Sequence, residues 1–273
     1  MALDFAAMLK AERASQHAKD TTLEPPTPES VEPERDVPIA FPPFALAPRC
    51  PVSLEDYRIG NESLRSVFYI PDWFSQEEET AMLEQVYAAP ASRWTQLRAR
   101  RLQQWGGDPV AAISEPLPPW LQSLVHSLAE AKISVDPAPD HVLINEYLPG
   151  QGIMPHRDGP NYAPYVITAS LGSDAILTFL PHVATNDLGV VDNTATLSMV
   201  LQRRSLVIFC EQAYEEQLHT IAAVHREIVG AAGPVPQKCH SLVHFRPGEV
   251  IHRQTRVSLT IRHVRRRAGC DDL

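Results

Sequence analysis

The sequence predicts a mainly β fold with flanking helices, a jelly roll in which the helices pack on one sheet. Three observations predict it. From residue 141 onward the apolar spacing changes from helical to strand-like, in seven short runs rich in Val, Ile, Leu, Thr and aromatics. Turn residues such as Pro149-Gly150 and Gly172-Ser173-Asp174 separate these runs. Two helical patterns precede them, and helices followed by many short strands are accommodated by a sandwich covered on one side.

The elements follow in order. Residues 2–19 form at most a short helix, marginal on its own in water. Residues 20–51 hold nine prolines and many acids. Their composition predicts a flexible linker, with the globular part beginning near residue 60. Val67-Phe68-Tyr69-Ile70 reads as a strand. Ser75-Gln76-Glu77-Glu78 is a capping-box pattern that opens a helix running to about Ala88. Pro119 before Trp120 opens a second helix, with Leu121, Leu124, Val125 and Leu128 on one face. The predicted strands cover 142–147, 165–171, 175–180, 195–201, 205–210, 221–224 and 255–262. Residues 226–254, with Pro234, Pro236, Pro247 and Gly248, read as a long surface insertion.

Composition narrows the class. The formal net charge of −9 gives no strongly basic footprint, but short basic clusters stand against the acidic background, so a nucleic-acid partner stays open. Cys50, Cys210, Cys239 and Cys270 are too far apart for a C-x-x-C site and read as free thiols of a reducing compartment. The first residues lack a signal-peptide apolar run, and no stretch approaches the roughly 20 apolar residues of a membrane helix. The expectation is a soluble, cytoplasmic or nuclear chain without a membrane partner.

His156-Arg157-Asp158 carries the chemistry. Alternate residues of an extended backbone project to one side, so one imidazole and one carboxylate reach a common metal. With a distant histidine they form a facial triad that leaves positions on ferrous iron for a co-substrate and oxygen. The motif alone is weak, since this composition supplies roughly 0.6 such matches by chance. On the motif alone, a surface loop with an incidental ion pair is the default reading. The candidates for the third ligand are His182, His219, His225, His240, His244, His252 and His263. His219 is preferred because it stands at the mouth of a predicted strand; His225, at that strand's end, is second.

Residues 255–262 sharpen the reading. Val257, Leu259 and Ile261 share one face, and Arg256, Ser258, Thr260 and Arg262 the other. A guanidinium turned into a sandwich costs several kcal/mol without a partner, and a dicarboxylate matches its fork. An edge strand with its polar face in water is the alternative. Leu143, Asn145 and Tyr147 share one face of the strand leading to the H-x-D turn, where an amide and a phenol can bond the same ligand. Arg93, Trp94, Arg98, Arg100, Arg101 and Trp105 interleave cations with aromatics, which suits a polyanion with stackable bases. A helix-loop segment with a solvated basic face and core tryptophans explains the same residues. Arg265-Arg266-Arg267 adds either a phosphate contact or a frayed tail.

The order N-x-Y (145–147), H-x-D (156–158), a distant His219 and R-x-S-x-T-x-R (256–262) resembles the AlkB family of dioxygenases. More specific are the stretch 141–160, HVLINEYLPGQGIMPHRDGP, with WTQL at 94–97, LQQWGG at 102–107 and LPPWL at 117–121. Together they resemble the branch numbered sixth among the animal homologues, over about residues 64–267. The resemblance implies a double-stranded β-helix and Fe(II), 2-oxoglutarate and O2 as cofactor and co-substrates. It implies oxidative demethylation of N-methylated RNA or DNA. It also implies His156, Asp158 and His219 on iron, and Asn145, Tyr147, Arg256, Ser258 and Arg262 around 2-oxoglutarate. In related enzymes the region before the core forms a lid over substrate. Two departures stand out: Ser258 where many members have Asn, and Thr220 where Gly often follows the third ligand. The resulting division is a flexible extension over 1–59, a dioxygenase domain over 60–267 with its jelly-roll core from about 138, and a tail over 268–273. The chain is expected to be a monomer. An RNA- or DNA-binding adaptor with a weakly active metal site, or a dioxygenase acting on protein or small molecules, remains as the alternative.

Overall fold

The computed structural model describes residues 41–61, 64–107, 109, 113–134, 136–182, 195–230 and 245–265. Their strands form two antiparallel sheets facing each other, a double-stranded β-helix. The larger sheet contains β1 (Arg58–Asn61), β2 (Leu64–Ile70), β3 (Thr95–Gln96), β4 (Arg101–Trp105), β5 (His141–Tyr147), β7 (Tyr165–Leu171), β10 (Ser205–Cys210) and β14 (Arg256–Arg262). Its order is β1-β2-β10-β7-β14-β5-β4-β3. The smaller sheet orders β6 (Ile153–His156), β11 (Gln217–Ile221), β8 (Ala175–Pro181) and β9 (Leu197–Leu201) as β6-β11-β8-β9.

Two helices cover the outer face of the larger sheet. α1 (Gln76–Ala88) starts at the capping box, with Glu78 N donating to Ser75 Oγ at 3.1 Å and Ser75 N donating to the Glu78 carboxylate at 2.9 Å. α2 (Pro119–Glu130) starts at Pro119, whose fixed φ suits the first turn. Met82, Val86, Trp120, Leu121, Leu124 and Leu128 pack on Ile144, Ile167, Leu206, Val257, Leu259 and Ile261. β14 thus obeys its period of two, sending Val257, Leu259 and Ile261 to the helices and the other register inward. Among the described residues no helix is long and apolar enough to cross a membrane.

Four expectations are corrected. Residues 41–57 belong to the packed body: Phe41, Phe44, Leu46, Val52, Leu54 and Tyr57 lie against the core, and Val52 N donates to Ala131 O at 3.0 Å. An extended, proline-rich strap needs no ladder of its own when its side chains are covered, so composition misplaced the boundary. Residues 1–40 lie outside the described residues, as do His240, His244, Cys239 and Cys270. Residues 93–107 are largely a β3–β4 hairpin added to the sheet through β5, rather than helix and loop. The 226–254 connection is anchored by β12 (Arg226–Ile228) pairing with β13 (Val250–His252), with Glu227 and Arg253 buried as an ion pair at 2.9 Å. The strand expected at 221–224 lies earlier, as β11, so His219 sits within a strand. The short α3 (Glu211–Glu215) links β10 to it.

Candidate active site

The H-x-D histidine ends β6, directly opposite His219 on β11. The ladder slips between His219 and Ile221, and Thr220 Oγ1 bridges the slip by donating to Ile153 O at 2.7 Å. That is the structural use of a residue where Gly often stands. His156, Asp158 and His219 each offer a ligand atom, all within 4.8 Å of one another. His219 Nε2 is 3.9 Å from Asp158 Oδ1, and the two imidazole centroids are 4.2 Å apart. His225 is exposed and packs its ring against Gly150, whose φ of +85° closes the β5–β6 turn.

The donor set fits a divalent ion. His156 Nδ1 lies 2.8 Å from Met154 O, a group that only accepts, so Nδ1 carries the proton and Nε2 the lone pair. Burial pushes His156 well below the ordinary 6.5, and neighbouring His219 adds to this. Burial also lowers His219, against the opposing charge of Asp158. Both rings are therefore neutral and ligand-competent at neutral pH. Asp158 Oδ2 is buried without a hydrogen-bond partner among the described residues, and a cation at the triad would satisfy it.

Asp158 is held from two sides. Arg262, fully buried, brings Nη1 to 3.4 Å from Asp158 Oδ1 and lays its guanidinium 3.8 Å from the Tyr162 ring centroid. The loop after Asp158 is pinned by the Tyr214 hydroxyl of α3, which donates to Gly159 O and, at 3.2 Å, to Tyr162 O. Neither tyrosine was found from sequence, because each acts through a backbone or a face that no motif records.

Between the sheets the triad opens on a cavity of about 510 Å³ including its mouth. Asn145, Tyr147, Arg256 and Ser258 line it from the larger sheet, as do Thr168 and Thr260. Phe209, Leu177 and Ile221 supply apolar wall. Arg256 is 1% exposed, and burial brings its pKa down to about 10. Its Nη2 donates to Ser170 Oγ at 2.8 Å, while Nε has no hydrogen-bond partner among the described residues. A buried guanidinium with an unused donor, in a cavity also lined by His156, Asp158 and His219, fits a dicarboxylate spanning the two. Ser170 was missed because a strand serine carries no distinguishing signal.

The proposed substrate residues disperse. Trp105 is 3% exposed in the helix-side core, so it offers no face to a base and is withdrawn from that role. Arg93 is paired with Glu115 at 2.8 Å and Arg101 with Glu146 at 2.6 Å. Trp94 is half-buried between Tyr87 and Arg101. Arg100 is wholly buried and donates from Nε to Asn145 Oδ1 at 3.0 Å, so it stands behind Asn145, which lines the cavity. Arg98 alone stays exposed on the β3–β4 turn with no ion pair among the described residues.

A pH prediction arises from the buried rings. His141 is fully buried against Tyr162, neither ring nitrogen finds a hydrogen-bond partner among the described residues, and burial pushes its pKa well below 6.5. Folded rings resist protons that the unfolded chain takes up near 6.5. Their contribution is thus complete above that pH and is lost as pH falls through the folded values. The metal-free protein is expected to lose urea stability between about pH 7 and pH 5, and His141→Phe to flatten that slope. Equal slopes in both proteins would contradict the assignment.

The geometry is that of a candidate site for a metal and a dicarboxylate inside a jelly roll. A family model described as the 2OG-Fe(II) oxygenase superfamily matches residues 87–262. The chain belongs to that superfamily, whose chemistry uses Fe(II), 2-oxoglutarate and O2. More particularly, it is 40% identical over 218 residues to a Danio rerio protein named "Probable RNA/DNA demethylase ALKBH6", covering 78% of this chain and 91% of that one. The likeness to the AlkB family read from the motifs is thus matched across most of both chains. An uncharacterized protein, L905, of Acanthamoeba polyphaga mimivirus is 28% identical over 74% of this chain and 87% of its own. Among solved structures, OsALKBH1 aligns with 73% of this chain and 98% of its own at 16% identity and a TM-score of 0.45.

Proposed function

We propose that this dioxygenase oxidatively demethylates an N-methylated nucleic acid, with His156, Asp158 and His219 holding iron and Arg256 gripping the distal carboxylate of 2-oxoglutarate. The observation that carries the site reading is the triad and the buried Arg256 lining one cavity. Bound there, Fe(II) with 2-oxoglutarate and O2 supplies C–H hydroxylation, giving succinate and CO2; an N-hydroxymethyl product then releases formaldehyde. The chain's residues do the rest. Asn145, Tyr147 and Ser258 line the cavity beside Arg256 and orient the co-substrate. Arg262 fixes Asp158 at the metal end. The apolar wall of Phe209, Leu177 and Ile221 limits water around the reacting centre.

Two observations support a nucleic-acid substrate: the name given to the Danio rerio relative, and exposed Arg98 on the hairpin that brings Arg100 to Asn145 of the cavity lining. With purified protein, Fe(II) and 2-oxoglutarate, N-methylated RNA or DNA oligonucleotides are expected to raise succinate formation and release matching formaldehyde. Arg98→Glu is expected to weaken oligonucleotide binding and reduce its salt slope by about one. Succinate formation stimulated by methylated protein or small molecules, and by no nucleic acid, would contradict the proposal.

A further inference from the structure

We infer that Arg100 is a positioning residue of the cofactor pocket, fixing the Asn145 amide so that its Nδ2 rather than its Oδ1 is presented to 2-oxoglutarate. A guanidinium only donates, so the Asn145 atom 3.0 Å from Arg100 Nε has to be the carbonyl oxygen. The reversed amide would set an NH2 group against N–H. Both side chains are buried, so water does not relieve that clash. The amide's orientation is therefore decided by Arg100, and its two N–H donors are the end left for a ligand.

The backbone delivers Arg100 to this place. Leu97 N and Gln96 Nε2 donate to Arg100 O at 2.9 and 3.2 Å, closing the β3–β4 turn. Leu102 on β4 pairs directly with Asn145 on β5. Asn145 lines the same cavity as Arg256 and the triad. A carboxylate or keto oxygen of 2-oxoglutarate accepts from Nδ2 and is repelled by Oδ1, so a free-flipping amide binds it less well. The residue therefore acts on the co-substrate through Asn145, without touching nucleic acid.

The inference rests on the cofactor reading of the cavity, and a double-mutant cycle separates the two. Arg100→Met is expected to raise the KM for 2-oxoglutarate roughly fivefold, the worth of about one hydrogen bond, with kcat at saturation little changed. In an Asn145→Ala background the same change is expected to add nothing further. Asn145→Asp keeps an acceptor for Arg100 and removes the donor, so its KM is expected to rise at least as far while the melting temperature holds. This variant carries the test where Arg100→Met does not fold. An equal KM increase from Arg100→Met in both backgrounds, or an unchanged KM in Asn145→Asp while Asn145→Ala raises it, would overturn the inference alone. An unchanged KM in Asn145→Ala would overturn the cofactor reading with it.

Discussion

His156→Ala and Asp158→Ala are each expected to lower 2-oxoglutarate decarboxylation at limiting Fe(II) by more than about 100-fold. The floor is set by comparison: removing a group that merely orients a ligand already costs about 10- to 100-fold in metal affinity. Removing the ligand itself costs more. The two variants should differ in stability. Alanine at 158 takes away the carboxylate 3.4 Å from the fully buried Arg262 guanidinium, and breaking a buried pair in this way costs about 3 kcal/mol. Alanine at 156 removes a ring that burial already keeps neutral, so no charge is stranded. Urea unfolding of the metal-free proteins should therefore rank Asp158→Ala below His156→Ala. His225→Ala, outside the triad, is expected to leave turnover at the wild-type level. Full turnover in the His156→Ala, Asp158→Ala double variant would remove the metal assignment.

Arg256→Met is expected to raise the KM for 2-oxoglutarate by about 100-fold, because truncating a desolvated, hydrogen-bonded charge pair costs 2–5 kcal/mol. Its effect on the unliganded protein should have the opposite sign or none. Burial, the largest cause, brings the Arg256 pKa down to about 10, a mark of how poorly the cavity by itself solvates the charge. An apolar side chain of similar length removes that cost. Ser170 loses one donor at 2.8 Å in exchange. The expected result is a melting temperature at or above wild type without ligand, and loss of the stabilisation that Mn(II) plus 2-oxoglutarate gives the wild type. Arg256→Lys should fall between, since an ammonium keeps the charge but not the fork. A normal 2-oxoglutarate response in Arg256→Met would contradict the assignment.

Much of this site is legible in the amino-acid sequence. The alternation in 256–262 separates core from cavity residue by residue, because a strand's period of two leaves no other arrangement once one face is apolar. Leu143, Asn145 and Tyr147 follow for the same reason. The capping box places the start of α1 at Gln76. Other features leave no such trace. The β3–β4 hairpin contains buried Leu97, Arg100, Leu102 and Trp105, whose spacing fits no simple period, so cations and aromatics look like an exposed patch. Arg100 shows the difficulty: its partner Asn145 lies 45 residues away, and nothing local distinguishes it from exposed Arg98. The strap at 41–57 was obscured because proline content argues for disorder while Phe41 and Phe44 find aromatic partners only in three dimensions. Ser170, Tyr162 and Tyr214 act by position on the fold, which a single sequence does not display.

The central claim is that one inter-sheet cavity holds a metal at His156, Asp158 and His219 and a dicarboxylate against Arg256. Anaerobic crystals containing Mn(II) and 2-oxoglutarate test it most directly. Anomalous density is expected on the two imidazoles and the Asp158 carboxylate, with the distal carboxylate of 2-oxoglutarate on the Arg256 guanidinium. Manganese bound elsewhere, or 2-oxoglutarate held away from Arg256, would contradict it.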